Sequence, residues 1–144
     1  MGFLSSLFGN NEKANRQSHI MNLLALACAD GELDESEVDV ICDVAARIGL
    51  SKDEFDEIID KPENIKFRVP KTTQERVVLL YDMVLVMMAD GEIHENEVDG
   101  CCLMAERLEF NPDIIRVMVE ETIKAIQRDE DLDRVVERLI KMLK

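Results

Sequence analysis

The chain has 144 residues, with 17 Lys and Arg against 31 Asp and Glu, giving a formal net charge of −14. That length fits one domain burying about 70% of its unfolded surface, and 47% hydrophobic residues is too apolar for global disorder. The charge argues against a nucleic-acid binder, which needs clustered Lys and Arg to meet phosphates, and points to cations or basic partners.

The first stretch, residues 1–11, is a short apolar segment carrying Phe3, Leu4, Leu7 and Phe8. It lacks early positive charge and makes a poor secretion signal. It reads either as a frayed or docked helix start or, through residues 3–8, as a peripheral contact with a membrane or a partner. No run reaches the roughly 18 apolar residues of a membrane span. Residues 12–144 are expected to form a single helical domain.

The first helix is expected from about Ala14 to Ala29, with Ile20, Leu23, Leu24 and Ala27 on one face and His19 as a packed or helix-start histidine. The second carries Val38, Ile41, Cys42, Ala45 and Ile48. The third starts at Ser51-Lys52-Asp53-Glu54, a capping box. From Lys61 to Lys71 two prolines and an alternating Ile65, Phe67, Val69 predict an extended connector. Thr72-Thr73-Gln74-Glu75 then opens a helix with Val77, Leu80, Tyr81 and Val84 inward and a Met stripe at Met83, Met87 and Met88 that reads as core. The next carries Val98, Cys101, Cys102, Ala105 and Leu108, and another begins at Asn111-Pro112. Asp129, Glu130, Asp131 and Asp133 read as a solvated, capped start to the last helix, whose stripe is Leu132, Val135, Val136, Leu139, Ile140 and Leu143.

A repeat underlies this order. Ala29-Asp30-Gly31-Glu32-Leu33-Asp34-Glu35-Ser36-Glu37-Val38-Asp39 aligns with Ala89-Asp90-Gly91-Glu92-Ile93-His94-Glu95-Asn96-Glu97-Val98-Asp99, sixty residues on, and the match continues without a gap to Asp53 and Asp113. The fold expected is therefore all-α, a compact bundle of about seven helices. It comprises two repeated three-helix units, about 14–60 and 74–126, plus a C-terminal helix. The last two turns of the first helix in each copy are apolar nearly all round, which suits a central position.

The acidic turn has two readings. Gly31 can end one helix in the left-handed conformation, and Asp34-Glu35-Ser36-Glu37 can start the next as a capping box, so every acid but Asp30 and Glu32 has a structural task. Against that, Asp30 and Asp90 fall at helix carboxyl ends, where a negative group is unfavourable by roughly 0.3–1 kcal/mol. Glu32, Asp34 and Glu37, then Glu92 and Glu97, add charge nearby. Oxygen donors so placed suit Ca²⁺, Mg²⁺ or Mn²⁺. An EF-hand is excluded, because the positions four and two residues before Asp30 are Leu26 and Cys28, and before Asp90 are Val86 and Met88.

The doubled Ala-Asp-Gly turn at the ends of two apolar helices resembles the TerB-like family, named for bacterial tellurite-resistance proteins. The resemblance covers roughly Ala14 to Ile126. It implies an all-helical, acidic, non-catalytic domain with a metal site formed by these acids. Related domains at the front of some J-domain co-chaperones imply an interaction module. Carried over, the ligand set is Asp30, Glu32, Asp34 and Glu37 in one copy and Asp90, Glu92 and Glu97 in the other. His94 departs from the pattern, standing where Asp34 stands, which weakens a hard-cation site or makes it tolerant of a transition metal.

Four cysteines, Cys28, Cys42, Cys101 and Cys102, form no Cys-x-x-Cys and suit a reducing compartment, the cytoplasm by default. Cys42 and Cys102 are expected to be buried. The vicinal Cys101-Cys102 pair makes a poor oxyanion clamp, since neighbours on a helix diverge by about 100°. No nucleophile stands beside a base in a recognisable motif and no Gly-rich phosphate loop occurs, so no enzyme is expected. The function expected is a non-catalytic cation-binding interaction module in a tellurite, metal or envelope stress response, with an unidentified protein partner, a homodimer being open. The alternative is a metal-free scaffold of the same fold in which the acidic turns only cap helices.

Overall fold

The computed structural model describes residues 13–28 and 33–143. Among them every regular element is helical: α1 (Lys13–Ala27), α2 (Glu35–Arg47), α3 (Lys52–Asp60), α4 (Thr73–Met87), α5 (Glu95–Ala105), α6 (Pro112–Gln127) and α7 (Leu132–Met142). Single 3-10 turns lie at Pro62–Asn64 and Glu106–Leu108. The all-α class and the seven helices agree with the sequence reading. The chain forms two units, the first ending at Arg68 and the second beginning at Val69, and each holds one copy of the repeat.

The sixty-residue offset is carried into the backbone. Helices α1 and α4 start at 13 and 73 and end at 27 and 87, α2 and α5 start at 35 and 95, and α3 and α6 start at 52 and 112. Local chemistry sets these starts. Asp34, Ser51, Thr72 and Asn111 each accept a hydrogen bond from the first turn of the helix that follows, which satisfies amides that no helical carbonyl can reach. Asp34 with Glu37 and Ser51 with Glu54 form complete capping boxes.

In the first unit α1 packs on α2 and α3, burying Ile20, Leu23, Leu24, Ile41, Val44, Phe55 and Ile58. The connector expected to be extended from Lys61 to Lys71 instead opens with a 3-10 turn at Pro62–Asn64, where Pro62 takes the first position. Beyond it the alternation holds, with Ile65 and Phe67 half-buried and Lys66 and Arg68 exposed. Asn22, 1% exposed on α1, fixes its end. The Asn22 amide donates to the Arg68 carbonyl at 2.9 Å and accepts from the Arg68 amide at 2.8 Å.

In the second unit α4 is the centre, packed on α5, α6 and α7. Residues 77–84 are all buried, including Asp82, which occupies the register of Asn22. The prediction from an all-round apolar helix holds there. Of the Met stripe, Met83 is buried while Met87 and Met88 are only half-buried. Helix α6 has 16 residues against nine in α3, and α7 packs on it and on α4 through Val135, Val136 and Leu139. The acids before α7 do not cap it as expected, since Asp131 at its start makes no side-chain capping bond and only its carbonyl accepts, from the Val135 amide. Arg138 instead pairs with both Glu130 and Glu121, which holds the Glu130 carboxyl below its ordinary pKa.

Candidate metal centre

The second acidic turn is built from the end of α4 and the start of α5. The Met88 amide closes the helix on Val84, and the Gly91 amide then bonds the Met88 carbonyl at 2.9 Å. Gly91 has φ +83°, the left-handed conformation glycine takes at little steric cost. Asp90 Oδ1 accepts from the Glu92 amide at 3.0 Å. His94 is the N-cap residue of α5, yet its side chain makes no capping bond; only its carbonyl does, accepting from the amides of Glu97 and Val98.

Freed from the helix end, the imidazole turns into the loop. His94 Nε2 lies 3.3 Å from Glu92 Oε2 and 3.9 Å from Glu97 Oε1. The Glu97 oxygen is shielded from solvent and accepts no hydrogen bond. Asp90, Glu92 and His94 each offer one donor atom, all within 4.8 Å of one another, and all three residues are exposed. Two carboxylate oxygens and one imidazole nitrogen make a donor set that suits a divalent cation, with the nitrogen shifting preference from Ca²⁺ and Mg²⁺ towards Mn²⁺ and later metals.

Sequence leads one to expect Asp90, Glu92 and Glu97 as ligands and sets His94 apart as a departure from the pattern; the structure groups His94 with Asp90 and Glu92 and leaves Glu97 beside that group. The signal for His94 was the offset itself, which places it at the position of Asp34.

The first turn differs. Asp30, Gly31 and Glu32 lie outside the described residues. Asp34 is wholly committed on one oxygen: Oδ1 accepts from the Glu37 amide at 2.9 Å and from the Ser36 hydroxyl at 2.8 Å. Glu37 Oε1 accepts in return from the Asp34 amide at 3.1 Å. The Glu37 amide bond and the Ser36 hydroxyl hold the Asp34 carboxyl below its ordinary pKa.

Among the remaining candidates, the cysteines correct the sequence reading. Cys42 is exposed and Cys102 half-buried, and Cys101 is the buried one. The core stripe of α2 runs through Ile41, Val44 and Ala45, which turns position 42 outward; in α5 the stripe is Val98, Cys101 and Ala105. Burial pushes the Cys101 thiol up to about 12 and raises Cys102 as well. His19 is packed, 4% exposed within α1. The apolar segment at residues 1–11 lies outside the described residues. None of the helices is long and apolar enough to cross a membrane, among the described residues.

Residues 1–60 match the family model described as Tellurite resistance protein TerB. The match covers the first copy, including its acidic turn, and less than half of the chain. No curated protein and no solved structure matches.

Proposed function

We propose that this TerB-like chain is a non-catalytic module that holds a divalent cation at its acidic turns and serves as an interaction surface for a protein partner. The observation that carries the reading is the convergence of Asp90, Glu92 and His94, with one donor atom each inside 4.8 Å. Glu97 stands next to the group, with Oε1 3.9 Å from His94 Nε2. Asp30, Glu32, Asp34 and Glu37 are the corresponding ligands proposed for the first copy. Ca²⁺, Mg²⁺ and Mn²⁺ are the candidate ions, and a bound ion would screen the mutual repulsion of carboxylates gathered at a helix carboxyl end. The setting we propose is cytoplasmic, in a tellurite, metal or envelope stress response.

One observation favours the metal-free scaffold at the first copy: Asp34 and Glu37 are consumed in a complete capping box. The two readings separate in one measurement. Thermal unfolding is followed with Ca²⁺, Mg²⁺ or Mn²⁺ against a chelator at matched ionic strength. A ligand at about 100 times its dissociation constant stabilises by ~2.7 kcal/mol, and Asp90→Asn and His94→Ala should each remove most of that gain. An unfolding temperature indifferent to all three ions leaves the scaffold. Turnover of a phosphoester or peptide that disappears in Asp90→Ala would replace both with a metal-dependent hydrolase.

A further inference from the structure

The two copies differ on the exposed side of their second helices. In the second unit, Arg116 on α6 reaches across to α5, with Nη2 2.5 Å from Glu95 Oε1 and Nη1 2.8 Å from Asp99 Oδ1, while Nε lies 3.4 Å from Glu120 Oε2 on its own helix. Sixty residues earlier the same four positions are Asp56, Glu35, Asp39 and Asp60. The carboxylates are kept and the arginine among them is replaced by a fourth acid. Asp56 meets Lys52 one turn away at 3.4 Å. Glu35, Asp39 and Asp43 stand exposed in one i, i+4 row along α2, about 6 Å apart per step, and no basic side chain meets them among the described residues. Like charges at that spacing oppose each other. At the first two of these positions the second copy shows what the row accepts when a cation is supplied, a guanidinium bridging Glu95 and Asp99; the third position there is Leu103.

Such cations stand unused on the connector. Lys61, Lys66 and Arg68 are exposed, with no ion pair among the described residues. Ile65 and Phe67 alternate inward with them, and Asn22 pins the Arg68 backbone from the α1 side. Lys66 and Arg68 are thus exposed cations on alternate residues, and the two-residue repeat of extended chain is about 6.7 Å. That spacing suits carboxylates one helical turn apart.

We infer that the connector of one copy of this chain docks along α2 of a second copy, Lys66 and Arg68 reaching Glu35, Asp39 and Asp43 as Arg116 reaches Glu95 and Asp99 within the second unit. Each copy carries net charge −14, but repulsion between distant charges is screened beyond about 8 Å at physiological ionic strength, while the pairs act in contact. Exposed ion pairs are individually weak, so the association is weak and falls steeply with salt.

Sedimentation velocity in the presence of a chelator, which removes metal bridging and leaves the cation reading untouched, tests this. The chain should self-associate in about 0.05 M salt and separate in about 0.5 M. Asp39→Arg and Arg68→Asp should each weaken self-association about tenfold or more, with circular dichroism unchanged, and mixing the two variants should restore a complex between them. A chain that stays monomeric at about 1 mM in low salt, well above a micromolar dissociation constant, overturns the inference. So does an association that either charge reversal leaves intact, or a mixture of the two variants that fails to recombine.

Discussion

Asp34 and His94 hold the same place in the two copies and do different things there. The aspartate accepts the Glu37 amide and so closes the capping box; the histidine side chain makes no capping bond and lies against Glu92 and Glu97. The Asp34 carboxyl titrates below its ordinary value of 3.8 in the folded chain. A lowered folded pKa means the ionised form is favoured by folding, so this contribution is whole above the unfolded value and disappears as pH falls through the folded one. Stability measured between pH 5 and pH 2 should therefore fall less steeply in Asp34→Asn, which keeps an acceptor but does not titrate, than in the parent. The thiols give a second residue-level expectation. Cys28 and Cys42 are exposed, while Cys101 is buried with its pKa pushed up to about 12. Timed alkylation read by mass spectrometry should label Cys28 and Cys42 first and Cys101 last, because only the thiolate reacts. Sequence misplaced Cys42 because several α2 positions are apolar and the apolar pattern alone did not fix which arc of the helix faces inward.

Helix starts were legible because capping is local chemistry: Ser51, Thr72 and Asn111 announce their helices within four residues. Ends were less so. Helix α2 closes through Gly49 at φ +90°, with the Leu50 amide bonding the Ala45 carbonyl at 2.9 Å, whereas the matching position in the second copy is Glu109 at φ +67°. A side chain in the left-handed region costs about 1–2 kcal/mol, against roughly 0.5–1 kcal/mol of added unfolded-state freedom for glycine. Glu109→Gly should therefore stabilise the chain by up to about 1 kcal/mol in urea unfolding, less whatever the exposed Arg76–Glu109 pair at 3.7 Å contributes. The Asn22 clamp on the connector was not legible at all. It joins residues 46 apart, and nothing in the local pattern of either segment names the other.

For the molecule as a whole, the repeat was the most informative feature of the sequence, since it gave the helix count and the two acidic turns together. What it could not give was what the departures do: that the arginine at 116 bridges Glu95 and Asp99, that α6 runs longer than α3, and that the histidine at 94 faces Glu92 and Glu97. The net charge of −14 sets a global expectation. Self-repulsion destabilises a compact acidic chain, so the unfolding temperature should rise with sodium chloride at pH 7, and that rise should vanish near the isoelectric point of about 4.5. A fall with salt at pH 7 would instead mean that specific pairs such as Arg116 with Glu95 and Asp99 dominate.

The helix starts match to the residue, at 13 and 73, 35 and 95, and 52 and 112. Residues 28–38 and 88–98 are consequently segments of equal length between matching helices. A chimera carrying two histidine bends, or two aspartate bends, needs no inserted or deleted residue and joins the same pair of helices on either side. The molecule thus contains its own control for any property assigned to one bend, because the same eleven positions can be read in either half.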